Sequence, residues 1–364
     1  MNTFLSQYKI LDLSQYIPGP YATRQLADLG ANVIKVEPPA GDPMRHFMSD
    51  SNNKSDYSPI YQHLNRGKRI VNIDLKQASG KESLRKLIKD ADVLLESFRP
   101  GVMARLGFDR ASLDKINPTL IHCALSGFGQ NGPYEQRAGH DLTYCAVSGA
   151  LSNSGTRERP VMSFPPIADH AGAMQAANTI LAALLSRTHT HQGAFIDISL
   201  YESALAWQYL NFYESANNDN PQRETLLLNG GAAYYNIYQT ADGRFIALGP
   251  IEAKFWVAFC EAVSKPEWID QQTDALPQTS LIQSLSDMFK SETLSHWNVL
   301  FENVDCCYEP ILLADEVAKH PQVISRNNLK DANPQFAAWV DGQAVETADA
   351  LTLIDNVDDI NWVY

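Results

Sequence analysis

No apolar run in this 364-residue chain reaches the roughly 18 residues that a membrane-spanning helix requires. The opening residues, Met1-Asn2-Thr3-Phe4, have neither a basic n-region nor an apolar h-region, so no secretory leader and a cytoplasmic location are expected. Cations are in short supply, with 29 Lys and Arg against 42 Asp and Glu and a formal net charge of -13. That balance argues against a nucleic-acid partner, which needs a basic face, but it leaves room for a nucleotide-like ligand held by a few local arginines. The five cysteines (Cys123, Cys145, Cys260, Cys306 and Cys307) have no paired spacing, which argues against a disulfide framework. Cys306-Cys307 lack metal-ligand spacing and are expected to be buried structural thiols. His170, His189 and His191 do not form H-E-x-x-H, and no metal site is expected. G-x-G-x-x-G after the first strand, G-x-x-x-x-G-K-[ST] and G-x-S-x-G are all absent. These absences disfavour a fingerprint dinucleotide site, a P-loop and a serine nucleophile elbow.

What is present is a rhythm of short apolar runs and helical stretches. Lys9 to Leu13 reads as a strand, Tyr21 to Leu29 as a helix stopped by Gly30, and Ala31 to Glu37 as a second strand stopped by Pro38-Pro39. The alternation continues through strands at 69–74, 93–96, 120–125 and 194–198 and helices at 80–90, 109–116 and 169–186. Strands alternating with helices predict an α/β fold with a doubly wound, mostly parallel sheet. A helix over 201–213 runs into the polar stretch 214–223, and 201–228 is the best linker. Beyond it, 234–248 with a turn at Asp242-Gly243 reads as a β-hairpin, and helical patterns follow to about residue 302. A smaller α+β domain is therefore expected over 229–324.

Several cations sit beside loop breakers: Arg45, Arg66 with Lys68 and Arg69, Arg99 and Arg105. Such cations at strand ends suit phosphate recognition, and they suit local salt bridges equally well. The glycine-rich loop Ser126 to Tyr134 follows a strand directly and leads into Gly139-His140-Asp141. Asp169 follows Pro165-Pro166 at a helix start, where an N-cap is its plainer role and where the helix dipole favours its ionised form. His140 precedes an apolar segment and can begin a helix, and Glu252 follows a strand with exposed surface as its plainer reading. A histidine and a carboxylate facing one carbon can exchange protons with it on opposite faces, while a carboxylate alone can attack an acyl group.

Taken together, these segments resemble the family III CoA-transferases (the CaiB/BaiF group), which also contain the α-methylacyl-CoA racemases. The resemblance rests on 26–31 with 34–38, Asn65-Arg66-Gly67-Lys68-Arg69 with Asp74-Leu75-Lys76, Phe98-Arg99-Pro100-Gly101-Val102-Met103, Ser126 to Gln130 with Gly132-Pro133, Thr240 to Arg244, and Asp315-Glu316-Val317 with His320-Pro321. It implies a large CoA-binding domain over 1–200 joined by the C-terminal 325–364, and an interlocked homodimer. A CoA thioester is the implied substrate, with no permanently bound cofactor. By position it assigns CoA contacts to Ile17, Leu75, Lys76, Phe98, Arg99 and Arg105, and places Gly139, Asp141 and Tyr144 near the pantetheine and thioester. Gly139-His140-Asp141 and Glu252 match the racemase branch, whereas Pro38, His170 and Ala173 stand where racemases usually carry an arginine, an aromatic and a glycine. In the racemase reading His140 and Asp169 exchange the α-proton, Glu252 tunes His140, and backbone amides at the Asp169 helix start hold the enolate. In the transferase reading Asp169 carries the acyl group and then CoA, with His140 as a positioning group. A CoA-binding protein without turnover is a third reading.

Overall fold

Apolar runs closed by breakers form strands here, and the amphipathic stretches between them form helices. β1 (Lys9–Leu13) turns into α1 (Pro18–Asp28), where Pro18 takes the first helical position, the place at which a missing N–H matters least. β2 (Asn32–Glu37), α2 (Pro59–Asn65), β3 (Lys68–Asn72), α3 (Ala78–Asp90) and β4 (Val93–Glu96) follow. Next come α4 (Val102–Leu106), α5 (Arg110–Ile116), β5 (Ile121–Ser126), α6 (Asp141–Val147), α7 (Ile167–Thr190), β6 (Ala194–Ser199) and α8 (Leu200–Ala206). The computed structural model describes residues 4–48, 57–217, 220–348, 350–355, 360 and 362.

The chain continues through α9 (Tyr209–Asn217), β7 (Asn236–Gln239), β8 (Phe245–Leu248), α10 (Ala253–Ala262), α11 (Thr279–Lys290), α12 (Leu294–Phe301) and β9 (Tyr308–Pro310). Two short ribbons pair β10 (Leu329–Lys330) with β11 (Asn333–Pro334) and β12 (Trp339–Val340) with β13 (Gln343–Ala344). A last strand, β14 (Thr352–Ile354), runs parallel to β3.

The main sheet has the order β14-β3-β2-β1-β4-β5-β6, and every pairing in it is parallel. The order reverses between β1 and β4, and sheets of this kind take ligands at the carboxyl ends of the strands beside such a reversal. On one face Leu84, Leu87 and Ile88 of α3 and Leu113 of α5 pack with Leu11, Ile34 and Leu94. On the other, α1 packs on α7, which also meets β5 and β6. The doubly wound parallel sheet expected from the alternation is therefore present.

The chain forms two compact units: Met1–Ser148 with Phe164–Ala206 and Pro321–Tyr364, and Gly149–Ser163 with Trp207–His320. The smaller unit holds the antiparallel sheet β7-β8-β9 over an aromatic core of Trp256, Phe259, Phe289, Trp297 and Phe301. One helix was expected over 201–213. Two are present, α8 and α9, broken at Trp207–Gln208, and the break coincides with the passage from one unit to the other. Much of the expected linker is tied down inside the smaller unit. The Arg223 guanidinium donates to the carbonyls of Thr156, Ser152 and Arg157 at 2.6, 3.0 and 3.1 Å, and Asn153 donates to Asn211 at 3.0 Å. Residues 218–219, at the centre of that linker, lie outside the described residues.

A cluster of buried charges joins β1, β2 and the start of β3. Lys68 Nζ donates to Asp12 Oδ2 at 3.0 Å and to the Pro20 carbonyl at 2.8 Å. Lys35 Nζ donates to the Ser14 carbonyl at 2.6 Å and pairs with Asp42 at 3.0 Å. Burial alone would raise the Asp12 carboxyl, but Lys68, Lys35 and the Ser14 and Thr23 hydroxyls outweigh it and hold it well below the usual range. Burial pushes the Lys68 ammonium down to about 8, with Asp12 opposing and the like charge of Lys35 assisting. Lys68→Met removes the ammonium bonded to the buried Asp12 carboxylate and leaves it only Lys35 and two hydroxyls, so a loss of about 3 kcal/mol in unfolding free energy is expected by urea denaturation, and a near-neutral result would contradict the role of the pair.

Candidate active site

Two helices begin at one place. His140 is the N-cap of α6 with extended backbone (φ -135, ψ 171), and its amide donates to Thr143 Oγ1 at 3.0 Å. Asp141 opens α6, and its Oδ1 accepts the amide of Asp169, in the first turn of α7, at 3.0 Å. One side chain thus satisfies an otherwise orphan N–H of α7 and fixes the start of that helix against the start of α6. Tyr144, one turn into α6, donates its hydroxyl to the Gly139 carbonyl at 2.7 Å. Its ring explains both neighbouring glycines: a Cβ at Gly127 would lie 2.5 Å from the hydroxyl oxygen, and one at Gly139 would lie 2.5 Å from the ring. The glycine-rich loop is held as well as open, since the Gln130 amide donates to Asp197 Oδ2 at 3.0 Å and Phe128 meets Tyr144 edge-on.

Asp169 is half-buried, and burial first, then the Asp141 carboxylate, raises its carboxyl to about 7. The helix start was expected to favour the ionised form; desolvation and a like charge outweigh the dipole. The Asp169 amide, one of those at this helix start, donates to Asp141. His140 is exposed, and its ring meets that of Tyr16, centroids 6.2 Å apart and planes at 77°. Tyr16 escaped notice in the sequence because nothing in Gln15-Tyr16-Ile17 announces its left-handed backbone (φ 65).

The implied CoA contacts divide. Leu75, Lys76 and Phe98 line a cavity of about 440 Å³ with Leu13, Val36, Pro38 and Ile73, at the strand ends beside the reversal in sheet order. Ile17 instead packs on Met44, Tyr61, Leu64 and Ile70. Arg99 is exposed next to Pro100 and within electrostatic reach of Tyr144, and Arg105 is exposed on α4, whose Leu106 lines the cavity. Among the described residues neither arginine forms an ion pair, whereas Arg45 is paired with Glu37 at 2.7 Å and Arg66 with Asp28 at 3.4 Å. Glu252 lies in the smaller unit, exposed at the N-cap of α10, where its side chain makes no capping bond. Cys306 is buried as expected, but Cys307 is exposed, with a left-handed backbone at φ 54. No group of His, Cys, Asp or Glu among the described residues is arranged to hold a metal ion.

Residues 5–346 match the model of CoA-transferase family III. The chain belongs to this family. It is 36% identical to the human α-methylacyl-CoA racemase over 326 residues, covering 87% of this chain and 80% of that protein. It is also 34% identical to the human succinyl-CoA:glutarate CoA-transferase over 331 residues, covering 88% and 74%. The crystal structure of Rv3272 from Mycobacterium tuberculosis superposes with a TM-score of 0.82 at 26% identity, covering 99% of each chain. This member of CoA-transferase family III is thus similar both to a protein named for racemisation and to one named for transfer. No helix among its described residues is long and apolar enough to cross a membrane.

The pairing of Asp141 with Asp169 has measurable consequences. Asp141→Asn keeps an oxygen for the Asp169 amide but removes the charge, so the Asp169 carboxyl is expected to titrate clearly below about 7 by carbon NMR. Asp169 has a folded pKa above its unfolded value, so the folded protein binds the extra proton and loses stability as pH rises between the two. Asp169→Asn is therefore expected to raise Tm at about pH 8 and to give little gain at about pH 4; equal gains at both would contradict the shift.

Proposed function

We propose that this protein is a racemase or epimerase of 2-methylacyl-CoA thioesters that works by removal and return of the α-proton. The observation that carries the reading is the convergence of His140 and Asp169 on two helix starts joined through Asp141, with the Asp169 carboxyl raised to about 7. A two-base exchange works best when both groups change protonation near neutral pH, and a carboxyl lifted there is matched to an imidazole. The 36% identity to a protein named α-methylacyl-CoA racemase supports the same reading.

In this mechanism the thioester carbonyl acidifies the α-hydrogen. His140 takes that proton from one face, leaving an enolate and an imidazolium, and the protonated Asp169 delivers its proton to the opposite face. For the other enantiomer the roles reverse, with ionised Asp169 as base and protonated His140 as acid. Glu252 is assigned the tuning of His140. The CoA portion is assigned to the cavity lined by Leu75, Lys76 and Phe98, with Arg99 and Arg105 as cations left for its phosphates. The partner is a second copy of the chain in an interlocked homodimer. In support of this, α9 buries none of its residues and exposes Tyr209, Phe212 and Tyr213.

The second reading, CoA transfer between carboxylic acids through an aspartyl-CoA ester on Asp169, is favoured by the same aspartate and by relatives named CoA-transferases. Incubation with a single enantiomer of a 2-methylacyl-CoA in deuterium oxide separates the two. Racemisation incorporates deuterium at the α-carbon, and His140→Ala is expected to lower that exchange by a factor of about 100 or more, the upper range for a positioned acid–base group. Absence of exchange, together with hydroxylamine capture of an ester at Asp169 when a free acid is supplied, would overturn the racemase reading. Binding of free CoA by calorimetry with neither reaction would leave a non-catalytic CoA-binding protein.

A further inference from the structure

We infer that Tyr16 is a positioning residue for His140: its ring is the fixed surface against which the imidazole is set. This rests on the proton-transfer role proposed for His140. The backbone of His140 is held on both sides, by Thr143 on its amide and by Tyr144 on the preceding carbonyl. Its side chain is not. Among the described residues the imidazole has no hydrogen-bond partner, and its ring contact is the edge-on one with Tyr16, at 6.2 Å. An imidazole that swings freely spends little of its time aligned with a C–H bond, so a neighbour that limits its rotation acts directly on the rate.

Tyr16 is built for such a task rather than for packing. Its side chain is 48% exposed, so burial does not account for an aromatic residue at this position. Its backbone is left-handed at φ 65, a region that disfavours any residue with a Cβ and that persists only where the surroundings impose it. The surroundings do impose it. The preceding carbonyl groups and amides are tethered: Lys35 Nζ binds the Ser14 carbonyl at 2.6 Å and the Gln15 amide donates to Ser97 Oγ at 3.1 Å. The Tyr16 amide lies 3.4 Å from Asp42 Oδ1, and Asp42 is itself paired with Lys35 at 3.0 Å. Behind the loop, Gly19 leaves room for Ser14, which would stand 2.2 Å from a Cβ there. The buried Lys35–Asp42 pair thus holds an exposed ring in a strained pose beside the proposed base.

Tyr16→Gly, Tyr16→Ala and Tyr16→Phe test this. Glycine and alanine are expected to lower kcat for α-deuterium exchange by roughly 100-fold with KM little changed, the scale of a misplaced catalytic group. Phenylalanine keeps the ring and is expected to restore the rate. Glycine also relieves the left-handed backbone, so its Tm is expected to equal or exceed that of the parent, which separates lost positioning from lost folding. Independently of turnover, the His140 ring-proton resonance is expected to shift in Tyr16→Gly and Tyr16→Ala but not in Tyr16→Phe. Wild-type exchange in the glycine and alanine variants, or a phenylalanine variant as slow as they are, overturns the inference. If the parent protein itself shows no exchange, the racemase reading fails, and an unmoved His140 resonance in the glycine variant then overturns the positioning role separately.

Discussion

A single hydrogen bond, from the amide of Asp169 to the carboxylate of Asp141, organises the site. It joins the first turns of α6 and α7, two helices separated in sequence by a long loop, and so brings His140 and Asp169 under one constraint. The same contact places one carboxylate beside another. Charge repulsion added to burial keeps a proton on Asp169 to about neutral pH, which a lone N-capping aspartate would not do. One side chain, that of Asp141, therefore both joins the two helix starts and adds to the shift that burial begins on Asp169.

The cations show a similar economy. In a chain with so few basic residues, the proximity of Arg45, Arg66, Lys68, Arg99 and Arg105 to loop breakers left two explanations open. The fold separates them. Arg45, Arg66 and Lys68 are turned inward onto Glu37, Asp28 and Asp12, where they support the loops at the strand ends. Arg99 and Arg105 face solvent near the apolar cavity. Sequence spacing does not distinguish the two groups, because each partner carboxylate comes from a different strand or helix.

Much of the fold was legible because its signals are local. The strands at Lys9–Leu13 and Val93–Glu96 fall where their apolar runs predict, and the Asp242-Gly243 turn joins β7 to β8 as its residues require. The shorter helices α2 and α4 were not read, since each depends on packing against the sheet rather than on a full amphipathic period. In the site, His140 and Asp169 stood out as reactive residue types beside helix starts. What bonds to the Asp169 amide, and which way Tyr16 turns, are set by long-range contacts with Asp141, Lys35 and Asp42 that no local pattern carries.

The pairing of β14 with β3 has a consequence for how the molecule is made. The sheet's edge beside β3 is closed by residues 352–354, and the entire smaller unit is synthesised between those two strands. A chain emerging from the ribosome must therefore carry β3 with one side unpaired while the smaller unit is made, a stage at which exposed strand edges invite association with other chains. Completion of the larger unit waits until the smaller one has been made, and nascent chains stalled before β14 should depend most heavily on chaperones.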